Sequence, residues 1–281
     1  MRPRTFAALL FLAPLAACFE PDYPTTLDMT TWSVVAVDPA TGDVGVAMAS
    51  CVANTLADAL GALVPGKGAA ATQAGFDIGN RNRVFEALKA GLTADSVIKI
   101  ATDTSVDPNI GGRQYGVVTM HGDTVRTAGF TGQPMLDRSS ASTGTTWAGV
   151  RADPKYGVSV QGNTLVSEAV VADGLVAFKW EDPTGFNWMT DRIMRALEAG
   201  SVAGGDVRCN TATSRQTAAT AMIIAARGTD PPYATANLRM SDQGTPAAPW
   251  LAISYTVARG ADNPLLELRK RYDAWRQTAT R

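Results

Sequence analysis

The sequence predicts an α+β layered domain, and three observations carry that expectation. Short apolar runs of strand character come in pairs separated by turn residues. Segments with apolar residues at three- and four-residue spacing follow groups of strands and do not alternate with them one for one. The resulting order is strands, helices, strands, helices, strands, helix, which is not the order of βαβ units.

The elements follow in turn. Residues 31–37 and 44–50 are two apolar runs flanking Asp38-Pro39-Ala40-Thr41-Gly42-Asp43, whose Asp, Pro and Gly make a turn, so the pair reads as a hairpin. Residues 68–73 are small enough for a closely packed third strand. Residues 80–90 have helical spacing through Val84 and Leu88, with Gly91 as a stop, and Thr93 caps a second helix running to about residue 101. Residues 115–120 and 124–130 form another hairpin across His121-Gly122-Asp123, and 157–160 is a short strand. Helices follow at about 167–178 and 186–199, the second ended by Gly200. Residues 203–214 are a Gly-rich polar loop. Late strands lie at 218–225 and 251–257, and Asn263-Pro264 opens a final helix as N-cap and first residue, burying Leu265, Leu268, Tyr272 and Trp275.

The start of the chain has its own logic. Arg2 and Arg4 supply a positive region, residues 6–12 are a short apolar stretch, and Leu15-Ala16-Ala17-Cys18 looks like a lipobox. Residues 1–18 are therefore expected to be an export signal with lipidation at Cys18. The blander reading is an ordinary signal peptide that happens to be cut before a cysteine. Lipid chains on Cys18 would make the membrane a partner, and Phe19 in place of Asp favours the outer membrane, facing the periplasm, in a Gram-negative host. Residues 19–30, with Pro21 and Pro24, read as an extended tether, and 31–281 as a single domain.

Composition excludes several classes. Removing the leader takes two arginines and leaves 23 basic against 26 acidic side chains, no footprint for nucleic acid. No CxxC occurs, which removes zinc-ribbon and thioredoxin readings. With Cys18 lipidated, Cys51 and Cys209 are either a disulfide or two separate buried thiols. The chain has one histidine, His121, in a predicted turn, so serine-histidine and cysteine-histidine catalysis and histidine-based metal sites lack their parts. Gly61-Ala62-Leu63-Val64-Pro65-Gly66-Lys67-Gly68 nearly matches a P-loop. Gly68 replaces the required hydroxyl, and a strand follows where a helix is needed. No cofactor and no metal are expected.

A family resemblance rests on motifs in order. Thr31-Trp32-Ser33-Val34-Val35-Ala36-Val37-Asp38-Pro39-Ala40-Thr41-Gly42-Asp43 continues into Val44–Ser50. Val64-Pro65 leads to Gly68-Ala69-Ala70-Ala71-Thr72-Gln73-Ala74, and Tyr156-Gly157-Val158 to Gln161-Gly162-Asn163. Ala203-Gly204-Gly205-Asp206 leads to Arg215-Gln216-Thr217-Ala218-Ala219, and Asn263-Pro264 opens the last helix. This set resembles the bacterial family catalogued as domain of unknown function 1028, over nearly all of 31–276. The resemblance implies a four-layer αββα sandwich of the Ntn-hydrolase-like kind; some members carry a peptidoglycan-binding module.

In Ntn hydrolases the first residue of the mature chain attacks an amide carbonyl with its own α-amine as base, at a pKa of about 7.7–8.0. Histidine is unnecessary. Thr31 is the matching position, and the resemblance implies it as catalytic nucleophile once the Thr30–Thr31 bond is cut. Ser50, Gln73, Gln161, Asn163, Asp206, Ser214 and Gln216 at strand ends are candidate pocket residues supplying hydrogen bonds or an oxyanion hole. Each has a bland role: Asn163 caps the next helix, Asp206 fixes the Gly-rich loop, Gln73 satisfies backbone groups. The expected activity is amide or peptide hydrolysis, with peptidoglycan or a peptide-like small molecule as ligand. The rivals are a non-catalytic ligand-binding lipoprotein and a scaffold subunit on the same fold; oligomeric state is open.

Overall fold

Two antiparallel sheets stack face to face, and helices cover both outer faces. The structure, a computed structural model, describes residues 27–29, 31–52, 60–140, 146–214, 216–234 and 249–280. The expected export signal, Cys18, most of the expected tether and Thr30 lie outside the described residues.

The first sheet contains β1 (Leu27–Met29), β4 (Gly61–Val64), β5 (Gly68–Phe76), β6 (Arg113–His121), β7 (Thr124–Thr131) and β11 (Tyr233–Ala234). Its order is β11-β4-β5-β6-β7, with β1 beside the far end of β5. The second sheet contains β2 (Thr31–Asp38), β3 (Asp43–Ser50), β8 (Trp147–Asp153), β9 (Val158–Leu165), β10 (Thr220–Ala226) and β12 (Leu251–Thr256), in the order β12-β10-β3-β2-β9-β8. Between the sheets lies one apolar cluster that includes Val35, Val37, Val46, Leu63, Met120 and Ile224. Helices α1 (Ile78–Lys89) and α2 (Ala94–Ala101) cover the first sheet through Val84, Leu88 and Val97. Helices α4 (Ala169–Lys179), α5 (Met189–Val202) and α6 (Pro264–Thr278) cover the second through Val170, Ile193, Leu197 and Leu268. The order helix, sheet, sheet, helix is the four-layer αββα sandwich that the resemblance implies.

Local chemistry explains most boundaries. The β2–β3 hairpin pairs Asp38 with Asp43, and Gly42 takes φ +77° in its turn. Asp77 caps α1 by accepting from the Asn80 N–H, and Thr93 caps α2 by accepting from Ser96. Asn263 accepts from the Leu265 N–H ahead of Pro264. The P-loop look-alike is the β4–β5 hairpin, with Lys67 in its turn bonded to the Lys89 carbonyl.

Four expectations change. Gly200 does not end α5, which runs to Val202. It is glycine because a Cβ there would stand 2.6 Å from the Trp32 indole nitrogen. Asn163 does not cap α4, whose N-cap is Glu168. The tether is not free along its whole length, since β1 pairs Leu27 with Phe76 and Met29 with Ala74. Finally, β4, β8, β11 and a short helix α3 (Gln133–Ser140) went unread. β8 carries Gly149 and two charged residues, so it shows no clean alternation, and β4 is hidden in the P-loop pattern.

Cys51 and Cys209 form a disulfide, with Cα atoms 5.6 Å apart across 158 positions of sequence. In chain-entropy terms a loop that long stabilises by about 5 kcal/mol. Replacing both cysteines with serine should lower the urea unfolding free energy by about 4–5 kcal/mol, and an unchanged midpoint would contradict the pairing. A buried ion pair sets the acid limit. Arg113 donates from Nε to Asp107 at 2.8 Å and, with Asn80, draws the Asp107 carboxyl down to about 2 against the opposing effect of burial. A carboxyl depressed in the folded state contributes stability above its unfolded pKa of about 3.9 and loses it as pH falls through about 2. Asp107→Asn should therefore remove about 2 kcal/mol of the stability lost between pH 4 and 2, read by denaturation at each pH.

Candidate functional site

Alternation along the strands builds the site. On β2, Trp32, Val34 and Ala36 face the helix layer, which turns Thr31 and Ser33 toward the opposite sheet. On β9, Val158 and Val160 face the helices, so Ser159, Gln161 and Asn163 face the same interior. From the first sheet, β5 presents Gln73 in line with Ala69 and Ala71, and β6 presents Gln114 in line with Val118 and Met120. The space between the sheets is thus apolar along most of its length and polar at the Thr31 end. All of these polar residues are at most 1% exposed.

One fixed donor orients the whole cluster. Gln114 donates from Nε2 to the Gly162 carbonyl at 2.8 Å, a partner that can only accept. The Gln114 Oε1 must then accept, and it does so from Gln73 at 2.7 Å and Asn163 at 2.8 Å. Gln73 spends its other Nε2 hydrogen on the Thr31 carbonyl at 3.2 Å, which leaves its Oε1 to accept the Ser33 hydroxyl at 2.6 Å. Ser33 in turn accepts from Gln161 at 2.6 Å, and Gln161 Oε1 accepts from Ser159 at 2.8 Å. Gly116 makes room, since a Cβ there would stand 1.9 Å from Gln161 Oε1.

The network contains hydroxyls and amides only. The Ser33 proton points at an amide oxygen, so Ser33 has no base beside it. Asn163 Oδ1 is buried and without a partner among the described residues, an open acceptor in the cluster. Two left-handed backbones follow the amides directly: Ala74 at φ +71° after Gln73 and Thr164 at φ +57° after Asn163. For residues with a Cβ this costs about 1–3 kcal/mol each and concentrates at sites where side-chain aim matters.

Three further contacts fix the surroundings. The Trp32 indole donates to the Leu197 carbonyl at 3.2 Å and lies in a slot where Cβ atoms at Gly200 and Gly205 would stand 2.6 and 2.9 Å from its ring. Ser50 lies opposite both Thr31 and Thr220. Asp206 accepts from the Cys51 N–H at 3.2 Å and from Arg208 at 2.6 and 3.0 Å, so it holds the Gly-rich loop against the disulfide.

The predicted residues therefore divide. Thr31, Gln73, Gln161 and Asn163 come together, and Ser50 joins them through its strand pairing. Asp206 reaches the neighbouring Cys51 backbone in the bland role expected of it. Ser214 and Gln216 serve another loop: Ser214 accepts from the Gln216 N–H, and the Gln216 amide spans the Ala258 carbonyl and the Gly260 N–H. Gln73 spends both amide hydrogens within the network, whereas Gln161 and Asn163 each spend one on it. They position β2. Gln114 and Ser33, which hold the centre, were missed. The signal was present in β9, where polar residues recur at 159, 161 and 163 with valines between.

Comparison with known proteins agrees with the fold. Residues 31–249 match the model of a family described as family of unknown function (DUF1028). The chain belongs to the DUF1028 family. A solved structure from the same family, protein SPO2555 from Silicibacter pomeroyi, superimposes with a TM-score of 0.60 at 21% identity, covering 87% of this chain and 85% of that one. At that identity the likeness speaks for the fold. No curated protein matches the chain. Of the motif pieces, those with Gln73, Gln161 and Asn163 fall in the network, while those with Asp206 and Gln216 serve neighbouring loops.

Gln114→Ala tests the keystone. It strands the Gly162 carbonyl and the two amide donors that Gln114 accepts, each at about 1–3 kcal/mol. The variant should lose at least about 3 kcal/mol of unfolding free energy, and a loss below 1 kcal/mol would show that the network is not cooperative.

Proposed function

We propose that the protein is an exported, lipid-anchored hydrolase of amide or peptide bonds whose nucleophile is the Thr31 hydroxyl, exposed by cutting the Thr30–Thr31 bond. The observation that carries this reading is the neutrality of the site. Thr31 opens an inner strand, its carbonyl is held by Gln73, and the surrounding network offers no titratable side chain. The base this reading assigns is the α-amine of Thr31 itself. An amine among buried neutral dipoles is disfavoured in its charged form, which favours the free base near neutral pH. That amine takes the hydroxyl proton as Oγ1 attacks the substrate carbonyl. The amide C–N bond then breaks, the leaving nitrogen receives the proton, and water hydrolyses the ester. Peptidoglycan or another peptide-like molecule suits an envelope location reached through the signal and Cys18.

One observation favours a second reading. β1 pairs with β5 and holds residues 27–29 in the opposite sheet, immediately before Thr31. An uncut chain anchored in that way is a ligand-binding lipoprotein, with Thr31 as an ordinary strand residue.

The intact mass of protein extracted from membranes separates the two. The hydrolase reading expects a chain beginning at Thr31, and amide hydrolysis that falls roughly a thousand-fold or more in Thr31→Ala while Thr31→Ser keeps part of it. A chain continuous from an acylated Cys18 through Thr31, with activity unaffected by Thr31→Ala, rejects it.

A further inference from the structure

Away from the network, α1 buries a positive charge that no carboxylate among the described residues pairs with. Arg81 is 1% exposed, and among the described residues its Nε and Nη1 have no hydrogen-bond partner. It belongs to the buried stripe of α1 with Val84 and Leu88, at three- and seven-residue spacing. Three carboxylates of this part of the chain are committed elsewhere. Asp77 accepts from the Asn80 N–H and lies 3.9 Å from Arg113. Asp107 is paired with Arg113 and Asn80. Glu86 is paired with Lys89. Burial alone pushes the Arg81 guanidinium down to about 10, and even so it stays charged at neutral pH.

The register of α1 locates this charge. Leu88 lies over Gly68, where an added Cβ would stand 3.2 Å from Leu88 Cδ2. Seven residues of helix span about 10 Å. Since α1 runs back along β5 from the Asp77 turn, Arg81 lies toward the Phe76 end of β5, about three strand residues beyond Gly68. Gln73 lies toward the same end, its side chain on the other face of the strand. Arg81 is therefore at the Thr31 end of the sandwich, separated from the amide network by the thickness of one sheet.

An unpaired guanidinium inside a protein is the most costly polar group to bury, and an apolar residue of similar volume would suit the same stripe better. We propose that Arg81 is a recognition group for an oxyanion, the carboxylate or phosphate terminus of a small ligand, bound at the start of α1. Planar N–H groups on a permanent charge suit that partner. The assignment is independent of whether Thr31 is a nucleophile.

Thermal unfolding of the full purified protein tests it, with sodium acetate and inorganic phosphate as probes and ionic strength held constant with chloride. The wild type should show a saturable rise in Tm of several degrees with one of the two, and the more effective anion names the ligand class. Arg81→Met should unfold at the same or a higher temperature than wild type without anion, and should lose the anion-dependent rise. Arg81→Lys should keep it with at least tenfold weaker affinity. A wild type that responds to neither anion, or an Arg81→Met variant that responds as the wild type does, overturns the proposal. So does an Arg81→Met variant that melts well below wild type in chloride alone, because the charge would then already be paired within the chain.

Discussion

The candidate site depends on a single acceptor, the Gly162 carbonyl. A backbone carbonyl cannot donate, so the Gln114 amide facing it has one orientation, and that choice propagates to Gln73, Asn163, Ser33, Gln161 and Ser159 in turn. Amide groups are normally ambiguous in such clusters; here the ambiguity is removed from one end. The members come from β2, β5, β6 and β9, so the network also joins the two sheets where the apolar layer stops. A polar cluster in a low-dielectric interior stabilises only when nearly every group is matched. The unmatched Asn163 Oδ1 and the left-handed Ala74 and Thr164 mark where matching was sacrificed to side-chain aim.

The same end of the molecule is fixed from two further directions. Trp32 sits in a glycine-lined slot under α5, which ties the residue beside Thr31 to the helix layer. Asp206 and the Cys51–Cys209 disulfide tie the end of β3 to the Gly-rich loop. Together these contacts hold the start of β2 rigidly, a prerequisite for catalysis by positioning as much as for selective binding. The amide network itself adds no ionisable side chain, and the Asp206 carboxylate is engaged by the Cys51 N–H and Arg208. In the proposed chemistry the base is the α-amine of Thr31, which makes the chain's processing state the controlling variable.

Legibility from sequence followed the range of the interactions. The β2–β3 hairpin, the caps at Asp77, Thr93 and Asn263, and the turn at His121 are set by neighbours within a few residues, and each was readable. Gly200 was misread for the same reason. Its local meaning is a helix stop, and its real constraint is an indole 168 positions earlier in the chain. Four predicted pocket residues met because they lie on inward faces at matching ends of their strands. Ser214 and Gln216 lie in a loop whose direction no local rule specifies. Gln114 escaped notice because one buried amide at a strand's start looks like an edge residue until the opposite sheet is in place.

By itself the sequence determined the local elements, the αββα family and, through its single histidine, the narrow choice of bases open to Thr31. Tertiary structure alone decided the amide orientations, the union of Cys51 with Cys209 and the isolation of the Arg81 charge. The physical reason is that hairpins and caps depend on chemistry between near neighbours. Pairing across stacked sheets, and the absence of a partner, depend on which distant groups are brought within a few ångströms.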